Sequence, residues 1–437
     1  MTQRETAISI IQRLHEAGYE AFLVGGCVRD ELRGVDPEDY DISTSAQPEE
    51  VEELFAKTVG VGKSFGVMMV LESGNQFEVA TFRADGDYED GRRPKEVKFV
   101  DAQTDAGRRD FTVNGLFLNP VTNKVHDWVG GETDLKSRTL RTIGDPVERF
   151  GEDHLRLLRA VRFAAQLDFQ IDPTTFSAVQ EHAAKVASVS AERIRDELLK
   201  LFRPPHAARG LDLLRESGLL KHVLPELMPT IDCEQTPDYH PEGNVYNHIR
   251  LMLDTMPPDA PMELPWTILL HDIAKPATAS TGKDGRIHFY GHEGVGAAMT
   301  KTILERLRFS SDKIDTIVFT VRHHMQFKDA PRMRKATLRR MLMRPNFELE
   351  LEQHRIDCLG SHGKLDIYDF IRTEQAALAE QPALFEPLIT GRDLIALGMI
   401  PGPALGKLLN EIRDRQLAEE FASRENALTW AKEKAAL

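Results

Sequence analysis

The chain has 437 residues, 41% hydrophobic and 28% charged, with a formal net charge of −14. That length suggests about three domains. The net acidity argues against broad adhesion to polyanions, and no apolar run approaches the ~20 residues of a membrane span. Residues 1–18 mix charges with a helical apolar period, so they read as a folded helix and not a signal peptide. Cys27, Cys233 and Cys358 lie far apart without a CxxC pair. A disulfide framework or zinc ribbon is therefore not expected, and a reducing cytoplasm fits.

Over roughly the first 145 residues, short β-rich runs alternate with helices. Strands are expected over 21–26 (AFLVGG), 39–44 (DYDIST), 66–72 (GVMMVLE), 76–82 (QFEVATF) and 96–100 (EVKFV). After Gly144-Asp145-Pro146 the texture becomes amphipathic helix, with apolar residues at i, i+3, i+4 in 155–167 and 192–202. Pro204-Pro205 and the stretch 231–244 interrupt that pattern. A histidine-rich helical region then runs from His240 to near Phe370, and the tail holds a Pro-Gly-Pro turn between helices. The expected organisation is α+β: a small mixed sheet with helices at 1–145, then all-helical segments at 146–230, 231–370 and 371–437. One run, Lys328 to Arg344, has seven Lys/Arg against one Asp. It reads either as a solvated helix face or as a phosphate-contacting stripe.

Five short segments carry chemistry in the first half. At Leu23 to Asp30 a strand runs into Gly25-Gly26 and then Arg29. Glycines allow backbone N–H groups close to a phosphate, although a tight turn alone would also use them. Asp39 and Asp41 are spaced to share one strand face, where two carboxylates repel unless a cation joins them. Glu78 is a lone acid in an apolar strand, which calls for a partner or a metal. Arg108 and Arg109 can pair with a triphosphate bidentately, and Asp110 and Asn114 can reach ribose hydroxyls. In Glu152 to Arg162, Asp153 and Arg156 are spaced to share a helix face, and Arg159 and Arg162 extend a cationic row. The ordinary explanation of that spacing is a salt-bridged helix.

In this order, GGCVRD, DYD, TFRADGDYEDGRRP, GRRDFTVNGL, DPVERFGEDHLRLLRAVRFAAQL and ERIRDELLKLF resemble the class II tRNA nucleotidyltransferase and poly(A) polymerase family. The resemblance covers roughly residues 20 to 230 and implies a polymerase-β-like nucleotidyltransferase head followed by helical neck, body and tail. It implies that Asp39 and Asp41 hold Mg²⁺, with Glu78 the third acid near the primer hydroxyl. Gly25, Gly26, Arg29, Arg108 and Arg109 would hold the triphosphate, and Asp85 to Lys95 would be a flexible loop. Asp153 and Arg156 would select the base. A carboxylate only accepts hydrogen bonds and a guanidinium only donates them. Cytosine and adenine present an amine donor beside an acceptor, and guanine and uracil present the reverse, so such a pair needs no template. The implied partners are the tRNA 3′ end, CTP and ATP, and the implied reaction is CCA addition. Poly(A), A-only and CC-only synthesis are alternatives within the family.

The body contains His248, His271-Asp272, His292, His323-His324 and Asp357. That order resembles an HD-superfamily metal phosphohydrolase, with donors for one or two divalent ions such as Mn, Ni, Co or Fe. By the same likeness, its substrate would be a phosphate or 2′,3′-cyclic phosphate on an RNA end. A phosphohydrolase with an inactive head and a noncatalytic RNA scaffold are the rivals from other classes. The intact Asp39, Asp41 and Glu78 argue against both.

Overall fold

The computed structural model describes residues 1–86, 97–238, 240–283 and 285–435. All but the first two residues of the loop expected at 85–95 lie outside them. The chain forms two compact units, Met1–Met228 and Pro229–Leu437.

The first unit opens with α1 (Gln3–Glu16), β1 (Ala21–Val24), α2 (Gly26–Leu32), β2 (Asp41–Thr44), α3 (Pro48–Leu54), β3 (Thr58–Gly62), β4 (Val67–Glu72) and β5 (Asn75–Thr81). β6 (Arg83–Asp85), β7 (Val97–Phe99), α4 (Ala102–Gly107), β8 (Phe117–Asn119), β9 (Lys124–His126), α5 (Gly131–Lys136) and β10 (Thr139–Leu140) follow. Seven strands form one sheet in the order β3-β4-β5-β2-β1-β8-β9. It is mixed: β2 and β5 run parallel and the other pairs antiparallel. Strand alternation covers both faces. Leu23 packs with Ile10, Ile11 and Leu14 of α1 on one side, while Phe22 and Val24 meet Phe82, Ala102, Ala106 and Phe117 on the other. α1 starts on a capping box between Thr2 and Glu5, so its first amides are satisfied without tertiary help.

The expected strands fall inside this sheet with three differences. The strand expected at 39–44 begins only at Asp41. The run 96–100 shortens to β7 and pairs with β6 in a separate two-stranded ribbon. β3, β8 and β9 were not legible: β3 contains two glycines, and the other two have three residues each.

Helices complete the unit: α6 (Pro146–Glu152), α7 (Leu155–Leu167), then β11 (Gln170–Ile171), α8 (Pro173–His182), α9 (Ala191–Leu201), α10 (Ala207–Glu216) and α11 (Leu220–Val223). α7 is buried almost all round and packs against α9 and α10. It carries Arg156 and Arg162 into that burial.

The second unit contains α12 (Val245–Asp254), α13 (Leu264–Leu270), α14 (Lys275–Thr278), the hairpin strands β12 (Ser280–Thr281) and β13 (Ile287–His288), α15 (His292–Arg306) and α16 (Ser311–His323). α17 (Lys335–Leu342), α18 (Phe347–Gly360), α19 (Asp366–Ala379), α20 (Gly391–Ala396), α21 (Pro403–Leu417) and α22 (Arg424–Ala435) follow. Ile371 and Leu378 of α19 pack with Phe327, Met341 and Leu351, so the boundary expected at 370/371 falls inside one helix. The tail has its own core of Ile389, Leu394, Leu408, Ile412, Ala427 and Ala431.

The basic run is largely consumed inside this unit. Arg339 is buried and donates to the Leu417 carbonyl at 2.8 Å and to Gln381 and Glu419. Lys335 pairs with Glu419, Arg340 with Asp414 and Arg344 with Glu350. Four of its seven cations therefore tie helices together and are not set out as a phosphate stripe.

Gly131, at the start of α5, shows how closely the head is packed. A Cβ there would lie 2.2 Å from the Thr112 carbonyl oxygen and 2.9 Å from Leu116 Cδ2. Because the obstacle is backbone, Gly131→Ala is expected to cost about 1–3 kcal/mol. Calorimetry should show a transition lowered by roughly 2–12 °C. Gly406→Ala, on α21 with open space around it, should leave the melting profile unchanged or slightly raised.

Candidate active site

Every head residue singled out from the sequence lines one cleft of about 1060 Å³. Gly25, Gly26, Arg29, Asp39, Asp41, Glu78, Arg108, Arg109, Asp110, Asn114, Asp153, Arg156, Arg159 and Arg162 all border it, joined by Arg193. The acids meet because β2 and β5 are parallel and Ile42 lies opposite Val79, which sets Asp41 beside Glu78. Tyr40, Ile42, Phe77 and Val79 are buried; strand alternation turns the residues between them to the cleft. Glu78 is thus exposed rather than sunk in the strand. Burial, then the charges of Asp39 and Glu78, push the Asp41 carboxyl up to about 7 against the pull of Arg109. The three carboxylates border one cleft without closing into a ready-made ion site among the described residues, and their all-oxygen chemistry fits a hard divalent cation.

Opposite the acids stand arginines, each held by a carboxylate. Buried Asp105 binds Arg108 at 2.7 Å and Arg109 at 3.2 Å. Burial would raise the Asp105 pKa, but the two guanidinium groups hold it below the usual carboxylate range. Asp105 went unnoticed in the sequence; its signal is an acid three and four residues before an arginine pair. Arg109 also donates to Ser43 Oγ at 3.1 Å.

Arg29 grips Asp30 at 2.7 Å and donates to Asn114 Oδ1 at 2.7 Å. Asn114 donates to Asp110 Oδ1 at 3.1 Å, and Arg159 donates to Asp110 Oδ2 at 2.6 Å. Asp110 and Asn114, expected to reach ribose hydroxyls, spend their polar atoms on holding Arg29 and Arg159. Arg162 departs from the expected cationic row as well. It is buried, bonds Glu197 at 2.5 Å and lies 3.8 Å from the Phe163 ring centre.

The Asp153/Arg156 pair is built differently from its spacing. Asp153 is extended (φ −139°, ψ 107°) between α6 and α7, not on a helix face. Its Oδ1 accepts from the Leu155 amide at 3.0 Å, and its carbonyl accepts from the Arg156 amide at 2.9 Å, so it is fixed to the first amides of α7. Arg193 of α9 donates to Oδ2 at 2.7 Å. Arg156 pairs with Glu152 and donates to the Arg149 carbonyl at 3.0 Å and the Arg108 carbonyl at 3.3 Å. Arg193 and Glu197 lie in the run 192–202, which the sequence marks as amphipathic and as part of the family resemblance without assigning either residue a role.

A second donor set occupies a cleft of about 770 Å³ in the other unit. His271, His292 and His324 present their Nδ1 atoms to the carbonyls of Ile268, Phe289 and Val321 at 2.8, 2.7 and 2.7 Å. A carbonyl can only accept, so Nδ1 carries the proton and Nε2 is left as a ligand atom. Those Nε2 atoms converge on Asp272: His271 at 3.1 Å, His292 at 3.4 Å and His324 at 3.8 Å. His248 sits 2.7 Å from Glu242 and 3.1 Å from Asp357. Burial alone would lower the His248 pKa, but Asp357 and Glu242 push it up to about 9. His248 Nδ1 and Nε2 and His271 Nε2 are buried, and their nearby carboxylates sit off the angles of a regular hydrogen bond. Two three-donor groups, His248/His271/Asp357 and Asp272/His292/His324, suit metal ions.

His323 does not join them. Its Nδ1 bonds the Phe319 carbonyl at 2.8 Å and its ring lies on Phe319, 4.0 Å between centres. Adjacent residues at a helix end point about 100° apart, so only one of the two histidines can face the cleft. His240 and Glu242 complete a third group with His248. They lie where the break at 231–244 overlaps the start of the histidine-rich region, and the sequence singles out neither as a ligand.

Head and second unit together define a polymerase-type nucleotidyltransferase carrying an HD domain. The poly A polymerase head domain matches residues 21–141, the probable RNA and SrmB-binding site of polymerase A matches 168–231, and the HD domain matches 243–356. The chain belongs to the family of CCA-adding enzymes. It is 32% identical over 434 residues to the CCA-adding enzyme of Streptococcus mutans serotype c, covering 97% of this chain and 95% of that one. It is 44% identical over 220 residues to that of Geobacillus sp. (strain WCH70), covering 50% of this chain and 54% of the relative. In that more identical match the chain spans about half the relative's length. The crystal structure of Bacillus stearothermophilus CCA-adding enzyme in complex with CTP superposes with a TM-score of 0.76 at 28% identity, covering 100% of this chain and 98% of that chain. No helix among the described residues is long and apolar enough to cross a membrane.

The Asp110–Arg159 pair gives a pH signature. Burial would raise the Asp110 pKa, but Arg159 and Asn114 bring it down from 3.8 to about 2. A depressed carboxylate stabilises the fold above its unfolded pKa, and that contribution fades as pH falls through the folded value. Asp110→Asn should therefore cost roughly 1–3 kcal/mol at pH 7. It should also flatten the loss of melting temperature between about pH 4 and pH 2, measured by calorimetry at stepped pH.

Proposed function

We propose that this chain adds CCA to the 3′ end of tRNA from CTP and ATP, releasing pyrophosphate. The observation that carries the reading is that Asp39, Asp41 and Glu78 line one cleft with a wall of arginines, the charges of Asp39 and Glu78 acting on Asp41. Asp39 and Asp41 would hold Mg²⁺, which when bound supplies charge neutralisation around the reacting phosphate. Glu78 extends the acid cluster toward the primer hydroxyl. Arg108 and Arg109, fixed by Asp105, face the triphosphate, and Gly25-Gly26 let the backbone approach it closely. Asp153 and Arg156 meet the base edge. Because Asp153 is held by Arg193 and by the α7 amides, its acceptor geometry is set before a nucleotide arrives, and a mismatched base leaves buried groups unpaired.

The rivals from other classes lose ground on the same cleft, since a degenerate head or a passive scaffold has no need of three clustered acids. Within the family, product length is the discriminator. With tRNA lacking its 3′ terminus and Mg²⁺, CTP then ATP should be incorporated and synthesis should stop after three nucleotides. Long A tails would instead identify a poly(A) polymerase. Asp41→Asn should lower incorporation at least about 100-fold. Asp153→Ala should raise misincorporation of GTP and UTP relative to CTP by about 10- to 100-fold, with a smaller effect on triphosphate affinity. Equal losses for all four nucleotides would remove Asp153 from base selection.

The second unit supports a metal-dependent phosphohydrolase acting on phosphate or cyclic phosphate at RNA ends. Its nitrogen-rich donors suit Mn, Ni, Co or Fe better than Mg. We divide the labour as head 1–145, nucleotide-selecting neck 146–230, HD domain from 231 and a helical tail. A reducing cytoplasm fits three buried free cysteines. His271→Ala should reduce the transition metal retained after dialysis, read by elemental analysis. Nucleotide addition should persist within about twofold, because the head carries its own donors. Collapse of addition in that variant would contradict independent sites.

A further inference from the structure

The histidine–carboxylate cleft has an aromatic rim that the metal donors do not explain. Tyr290 is 77% exposed, and among the described large hydrophobic side chains only Ile400, at 83%, is more so. It stacks on His288 with ring centres 5.2 Å apart and planes 12° from parallel, and both rings line the cleft. Between them, the Phe289 carbonyl holds His292 Nδ1 at 2.7 Å, and Lys275 lies over the Phe289 ring at 5.4 Å. The rim is thus tied through one residue to the donor set. Tyr290 is two residues from His292, so their Cα atoms are at most about 7.6 Å apart, within reach of one small ligand. The exposed Lys328 and Lys364 border the same cleft.

A flat aromatic surface beside a donor set that would attract anions through a bound metal matches a molecule with a flat ring at one end and a phosphoester at the other. Base-on-aromatic stacking is sequence-tolerant because every base has a π face. We propose that His288 and Tyr290 form a nucleobase-stacking subsite that presents a nucleotide's phosphoester to the histidine–carboxylate cluster. The subsite rests on the phosphohydrolase reading for its phosphate half only. It makes the preferred ligand a terminal nucleotide rather than a base-free phosphate ester.

The test uses the full chain loaded with Mn²⁺ and 2-aminopurine riboside 3′-monophosphate, whose fluorescence falls on stacking. Titration should give saturable quenching. Tyr290→Ala should raise the dissociation constant at least about fivefold, and Tyr290→Phe, which keeps the ring, should stay within about twofold of the parent. An unchanged constant in Tyr290→Ala would overturn the subsite; the residue's exposure keeps the substitution out of the core, and circular dichroism checks the fold. In hydrolysis, the preference for the nucleotide over glycerol 2-phosphate, taken as a ratio of kcat/KM, should fall by the same factor through KM. If the parent chain hydrolyses neither ester with Mn²⁺, Ni²⁺, Co²⁺ or Fe²⁺, the phosphohydrolase reading fails, while the titration still decides the subsite.

Discussion

The head is organised around a repulsion. Parallel pairing of β2 with β5 sets Asp41 beside Glu78, with Asp39 two residues away, and burial first, then those two charges, push the Asp41 carboxyl up to about 7. Like charges gathered this closely cost free energy unless a cation enters among them. The sheet bears that cost because its hydrophobic faces are filled on both sides, by α1 on one and by an aromatic cluster on the other. The strain falls where charge neutralisation is most useful to a triphosphate.

The arginines answer the acids, and each is itself anchored. Asp105 fixes Arg108 and Arg109, Asp110 fixes Arg159, Asp30 and Asn114 fix Arg29, and Glu197 fixes Arg162. Without such anchors a long guanidinium side chain would lose rotamer entropy on meeting its ligand. Holding it beforehand moves that loss into folding, where core packing offsets it. The same device fixes Asp153, through Arg193 and two backbone bonds.

The second unit solves a parallel problem with neutral ligands. Backbone carbonyls at the ends of α13 and α16 and just before α15 take the Nδ1 protons of three histidines. Helix ends supply such carbonyls because their last turn has no intrahelical partner. Each imidazole then faces inward with the nitrogen that can ligate. The basic run 328–344 shows the converse. Of a stripe that looks made for phosphate, four cations pair with acids of the same unit, Arg339 buried and Lys335 and Arg340 half-exposed.

What the residues alone determined is the set of chemical groups. Glycine pair, carboxylate spacing, arginine pair and histidine–aspartate order each carry their signature locally, because they are short-range patterns of residue type. The strand runs flanking the acids were legible for the same reason, through alternation of buried and exposed side chains. What only the tertiary structure decided is which groups are spent and which are free to act. Asp110, Asn114 and Arg162 line the cleft while bonding Arg29, Arg159 and Glu197, His323 faces away, Asp153 lies between two helices, and Asp105, Arg193, His240 and Glu242 emerge as supports. Hydrogen-bond capacity is shared among residues distant in the chain, so its allocation is a property of the packed molecule. No local pattern records which acid a given arginine will meet.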